Sequence, residues 1–245
     1  MIYKTRGIVL RSVKYGETSM VTTILTELFG LQTYMVNGVR TTKKSGNKAI
    51  MLQPASILDL EVYHHEQKNM QRIKEFQWAH LYDSLLSDVV KNSIAAFIIE
   101  LIIKTVRQPE KNEELFYFCE DIFVQLDAAE SNIAANFPLF FSLQLPKFFG
   151  FKIQDPPLHS PDNLYLDLTD GHFLEQEPAH EYFLRGQHAI ITAELLKVMQ
   201  PIDLAEIKLN REIRRTLLDQ YLIYYKLHFS DFGEMRTLKV LEEIF

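Results

Sequence analysis

Glycine divides this chain. Five of its nine glycines (Gly7, Gly16, Gly30, Gly38, Gly46) fall in the first 46 residues, and the next is Gly150. Tight turns and close backbone approaches call for glycine, whereas helix interiors exclude it. A β-rich opening followed by a long helical stretch is therefore expected. The first segment alternates in the way strands do. From Tyr3 to Tyr15 the even positions include Lys4, Arg6 and Lys14, and the odd ones are mostly apolar, with Arg11 breaking the pattern. These 13 residues would span ~43 Å if straight, so a bend is expected, with Gly7 the least costly place for it. "SMVTTILTEL", "LQTYMVNGVR", "ILDLEVYHH" and "MQRIKEFQW" supply four further strands. Five short strands in so small a segment predict a closed barrel, because closure removes exposed edges.

Beyond residue 80 the period changes to that of helices. "NSIAAFIIELIIKTV" is apolar nearly all round, as in a buried helix, and "EELFYFCEDIFVQLD" repeats its apolar residues at i, i+3, i+4, i+7. Further helices are expected at about 132–149, 187–199, 211–228 and 236–243. Between them, "LYLDLTDGHFLE" reads as a hairpin turned at Asp170–Gly171. The fold class expected is α+β and multidomain. Residues 1–80 form an N-terminal five-stranded barrel of the OB-fold type. Residues 81–245 form an α-helical domain with a small cysteine-free hairpin insertion at about 152–186.

Charge follows the same division. The chain carries a net charge of −6, yet residues 1–80 hold 11 Lys+Arg against 6 Asp+Glu, and residues 81–245 hold 15 against 26. Parts of opposite sign point to different partners. The basic residues Lys4, Arg6, Arg11, Lys14, Arg40, Lys43, Lys44 and Lys48 sit in the predicted barrel. OB-type barrels bind single strands by combining a basic groove with stacking aromatics, for which Tyr15 and Tyr34 are candidates. Nucleic-acid binding is the expected role of the first domain. The alternative is a protein-interaction adaptor, in which the acidic helical part docks partners and DNA is hardly touched.

Chemistry points away from catalysis. Glycine-rich phosphate loops, HExxH and GxSxG are all missing from the sequence. Cys119, the single cysteine, lies on the apolar side of a helix and reads as a buried small hydrophobe. One cysteine allows no internal disulfide, which fits a reducing, cytoplasmic setting. The chain runs from Met1 into "IYKTRGIVL" without a signal-peptide pattern, and no uncharged run is apolar enough for a membrane span. His159, His172, His180 and His188 lack short ligand spacing and thiolate companions, so neither metal nor cofactor is expected.

"TRGIVLRSVKYGETSMVTTILTELFGLQTYMVNGVR" resembles the N-terminus of the RecO family of bacterial DNA-repair and recombination mediators. "PKFFGF" and "LLDQYLIYYKLHF…FGEMRTLKVLEEIF" resemble that family's helical portion. The resemblance implies an OB-fold followed by helices. It implies non-enzymatic binding of single- and double-stranded DNA, strand annealing, and help in loading RecA onto coated strands. Its implied partners are RecR and the acidic, apolar C-terminal tail of single-stranded DNA-binding protein, with RecA an indirect one, and its implied place is the cytoplasm, at the nucleoid during repair. Many relatives carry two CxxC pairs in the insertion. The matching region here has none, so no metal ligand is carried over. For the partner tail, Lys147 and the run Arg211, Arg214, Arg215 are the candidates.

Overall fold

The computed structural model describes residues 1–40, 48–157 and 163–244. The chain divides into two compact units: Met1–Asp88 with Ile102–Asp127, and Val89–Leu101 with Ala128–Phe245. The first unit thus takes in more than the barrel of residues 1–80. No described helix is long and apolar enough to cross a membrane.

In the first unit the strands β1 (Ile2–Tyr15), β2 (Ser19–Thr26), β3 (Gly30–Val36), β4 (Ile57–Tyr63) and β5 (Gln71–Trp78) close into a barrel in the order β1-β2-β3-β5-β4. All neighbours are antiparallel except β3 and β5, whose parallel pairing of Tyr34 with Gln71 and Met35 with Arg72 closes the ring. Val9, Ile24, Tyr34, Leu58, Leu60 and Val62 are among the residues that fill the interior.

The register of β1 shifts between Val9 and Arg11, the mark of a β-bulge, while pairing runs unbroken through Gly7. The first half of the strand pairs with β4 and the second with β2. The extra residue reverses the in–out phase. Lys4 and Arg6 face outward on even positions, and Arg11, Val13 and Tyr15 face outward on odd ones. Gly7 serves a different end. A Cβ there would lie 2.6 Å from Ile24 Cγ2 and 2.8 Å from Leu60 Cδ1, so the bare backbone lets the barrel wall close in.

Helix α1 (Val89–Thr105) gives its first thirteen residues to the second unit and its last turn to the first. Helix α2 (Glu113–Ala128) belongs to the barrel's unit up to Asp127. Cys119 is wholly buried on it, and burial holds the thiol well above its usual pKa, as a core residue rather than a nucleophile. At the end of α2 the Asp127 carboxylate accepts hydrogen bonds from the backbone N–H groups of Asp83, Ser84 and Leu85 at 2.9, 2.8 and 2.6 Å.

In the second unit the helix expected at about 132–149 is three pieces: α3 (Ser131–Ala134), α4 (Phe137–Gln144) and a 3-10 turn, Leu145–Phe149. Pro138 and Pro146 each sit in the first turn of a new piece, where a missing N–H costs nothing. Helices α5 (Gln187–Lys197) and α6 (Arg211–His228) pack on α4, with Tyr225 Oη donating to the Ser142 carbonyl at 2.9 Å. The last helix, α7 (Leu238–Ile244), is short.

The insertion holds the expected hairpin, β6 (Tyr165–Asp167) and β7 (His172–Leu174), turned at Gly171. A third strand, β8 (Phe183–Arg185), adds to β6 and makes a sheet. Asp167 ties it together, accepting from Thr169 N at 2.7 Å, Thr169 Oγ1 at 2.6 Å and His180 Nε2 at 3.1 Å. His180 Nδ1 accepts from Tyr182 N, so the ring proton sits on Nε2. Among the described residues no group of three or more His, Cys, Asp or Glu could hold a metal ion.

Candidate nucleic-acid interface

The phase reversal in β1 gives the barrel two outer faces of different chemistry. On the face shared with β4 and β5, the cations are already matched. Arg6 Nη1 donates to both carboxylate oxygens of Glu120 at 3.0 Å, and its Nε lies 3.7 Å from Asp59. The Glu120 hydrogen bond is the main reason the guanidinium's pKa is raised. Lys4 lies 3.5 Å from Glu61, which also takes Lys74 at 2.8 Å, and the Lys74 contact draws the Glu61 pKa down. Lys4, Arg6, Asp59 and Glu61 line a groove of about 550 Å³ that also carries Glu27, Glu75 and Phe76.

The face shared by β1, β2 and β3 is built otherwise. Cross-strand pairing sets Val13 opposite Val21, Val21 opposite Met35, and Met35 opposite Arg72. One row away, Arg11 pairs with Thr23 and Thr23 with Thr33. Tyr15 closes the strip, pairing with Ser19. Val13 is 47% exposed and Tyr15 58%. Among the described residues Arg11, Lys14 and Arg72 have no ion pair. An apolar strip ending in an exposed aromatic ring, with the unmatched Arg11 and Arg72 beside it, can stack bases while neighbouring phosphates meet the charges.

The other expected residues fall as follows. Tyr34 lies in the barrel interior with no exposed surface, and burial raises its phenol's pKa. It has no ring face to offer a base. Arg40 donates to the Gly16 carbonyl at 3.2 Å, beside the β1–β2 turn. The Lys48 ammonium sits 5.7 Å from the Phe76 ring centre. Lys43 and Lys44 lie outside the described residues.

In the helical unit, Lys147 is exposed, with its ammonium 5.0 Å from the Phe148 ring centre. Arg211, Arg214 and Arg215 all lie in the first turns of α6. Arg214 is partly buried, which lowers its pKa, and donates to the Leu209 carbonyl at 2.6 Å.

The family profile described as "Recombination protein O N terminal" matches residues 1–82, and "Recombination protein O C terminal" matches residues 86–155. The chain belongs to the RecO family. The barrel is therefore that family's OB-fold, and DNA repair and recombination is the role that membership gives. Curated RecO relatives align over their full length and that of this chain. The "DNA repair protein RecO" of Christiangramia forsetii is 32% identical over 248 residues, and those of Azobacteroides pseudotrichonymphae and Bacteroides fragilis are 30% identical over 245 and 246.

Arg72 and the apolar strip are absent from the residues expected on sequence grounds. One signal for the strip was present, since "SMVTTILTEL" is apolar on both faces, and a strand of a small barrel has only one inside. Arg72 joins the strip only through the β3–β5 closure, a pairing of distant segments.

Proposed function

We propose that this protein is a non-enzymatic mediator that binds single- and double-stranded DNA, anneals complementary strands and assists loading of RecA onto coated single strands. The observation that carries this reading is the Val13–Val21–Met35 strip with Tyr15, bordered by Arg11 and Arg72, which have no ion pair among the described residues. Phosphate contacts are assigned also to Lys14, Arg40, Lys43, Lys44 and Lys48, with little base readout. The partners proposed are RecR and the acidic, apolar tail of the single-stranded DNA-binding protein. The tail docks on the helical unit at Arg211, Arg214 and Arg215 or at Lys147, and the work is done at the nucleoid.

The test is a strand-annealing assay with and without the coating protein at two salt concentrations, paired with binding isotherms on single strands. A logarithmic salt slope of about −0.7 per phosphate contacted is expected. Absence of DNA binding at low salt would defeat the reading. That result would favour an adaptor role, for which the pairing of Lys4 and Arg6 with the protein's own carboxylates already speaks.

A further inference from the structure

The arginine run of α6 is engaged by the protein's own last helix. Arg211 donates to the Glu242 carbonyl, and Arg215 pairs with the Glu242 carboxylate at 3.0 Å. Leu238 and Leu241 of α7 form one side of an apolar groove whose other side is Ala135, Pro138, Leu139 and Leu218, with Arg214, Arg215 and Glu242 also in its lining. Leu241 is almost fully buried there. The occupant thus defines the chemistry the groove accepts: two leucines one turn apart, followed at once by a glutamate.

α7 is held by this docking rather than by its own stability. It has 7 residues, and isolated helices below about 12–15 residues are marginal in water. Outside the groove it has one further clamp. The Glu100 carboxylate accepts from Arg236 N at 2.9 Å, Thr237 N at 2.8 Å and Thr237 Oγ1 at 2.7 Å, capping the helix start. Released from both, the segment loses its helix, so docked and released forms make a two-state element.

The geometry points to α7 as an intramolecular lock that covers a docking groove for acidic, apolar peptide segments and must leave before such a segment binds. This rests on the reading of Arg211, Arg214 and Arg215 as a partner-docking surface, and adds that the surface is closed in the free protein. A groove open in only a fraction of molecules has its affinity reduced by that fraction. A helix docked in 90–99% of molecules would therefore mask the groove about 10- to 100-fold.

The probe is a fluorescein-labelled peptide copying residues 237–245, titrated into the full chain by anisotropy. Leu241→Asp removes the buried anchor and leaves the side formed by Ala135, Pro138, Leu139 and Leu218 unaltered, and Glu100→Gln weakens the clamp without touching the groove. Circular dichroism verifies that each variant is folded. Both variants are expected to bind the peptide at least about 10-fold more tightly than the unaltered chain, and adding Arg215→Glu to Leu241→Asp should abolish the gain. Equal binding by the unaltered chain and both folded variants, or no binding by any, overturns the lock. A parallel titration uses the single-stranded DNA-binding protein with its tail intact or removed. If that protein binds no variant while the peptide result holds, the partner reading fails and the lock stands. If its tail binds all forms alike while the peptide discriminates, the tail docks elsewhere, with Lys147 the next position to test, and the lock again stands.

Discussion

Arg6 and Glu120 form a two-oxygen ion pair at 3.0 Å, which commits to structure a cation that sequence alone assigns to DNA. Arg11, five residues along the same strand, faces outward with no such partner. The two arginines should therefore respond oppositely to substitution. Arg6→Ala is expected to cost about 0.5–1 kcal/mol of stability, as half-exposed ion pairs do, and to leave the salt slope of single-strand binding unchanged. Arg11→Ala and Arg72→Ala should leave the melting temperature nearly unchanged and each lower the slope's magnitude by about 0.7. Denaturant unfolding and binding isotherms at three salt concentrations separate the two outcomes. A slope that falls with Arg6→Ala but not with Arg11→Ala would move the interface to the other face.

The two candidate tyrosines separate in the same way. Tyr15→Ala should weaken single-strand binding by about 1–3 kcal/mol, the range for one base–aromatic stack, and Tyr15→Phe should restore most of it. Tyr34 is wholly buried in the barrel. Tyr34→Ala should instead destabilise the fold by about 3–5 kcal/mol, as large-to-small core changes do. Affinity and unfolding measured on the same preparations distinguish a lost stack from a lost core.

Much of the fold was legible in the sequence because local patterns carried it. The five strands and most of the helices follow from period and from the placement of glycine and proline. What local pattern could not carry was phase. Alternation in β1 reverses across the Val9–Arg11 bulge, so Lys14 and Arg11 could not be assigned to faces by counting. In β3, apolar residues on both faces hid that Tyr34 points inward and Met35 outward. The ion pairs of Lys4 and Arg6 with Glu61 and Glu120, and the place of Arg72 beside Met35, depend on distant segments meeting. β8 has only 3 residues, too few to show a period at all. The arginine run of α6 was visible as charge, but its engagement by Glu242 was not.

The insertion is held without cysteines by the Asp167–Thr169–His180 group. Asp167 is buried, which by itself would raise its pKa, and its hydrogen bonds from Thr169 and His180 bring the pKa below the ordinary value. His180→Ala removes one donor to a buried carboxylate and should cost about 1–3 kcal/mol. Incubation with a chelator should leave the melting temperature of the unaltered protein unchanged. A chelator-induced drop would assign the sheet's stability to a bound metal in place of this network.

Asp127 gives the clearest pH dependence. Burial alone would raise its pKa, yet the three backbone N–H donors of Asp83, Ser84 and Leu85 and the Ser84 hydroxyl hold it below the ordinary value. A carboxyl whose folded pKa is depressed stabilises the protein above its unfolded value of about 3.9, and that contribution disappears as pH falls through the folded pKa. Asp127→Asn keeps one acceptor but turns an amide toward the same donors, and should cost about 1.5–3 kcal/mol at pH 7. The stability gap between the two proteins, followed by urea unfolding, should stay constant from pH 7 to about pH 5 and narrow below about pH 4. A gap independent of pH down to complete acid unfolding would mean that Asp127 acts through packing and not through its charge.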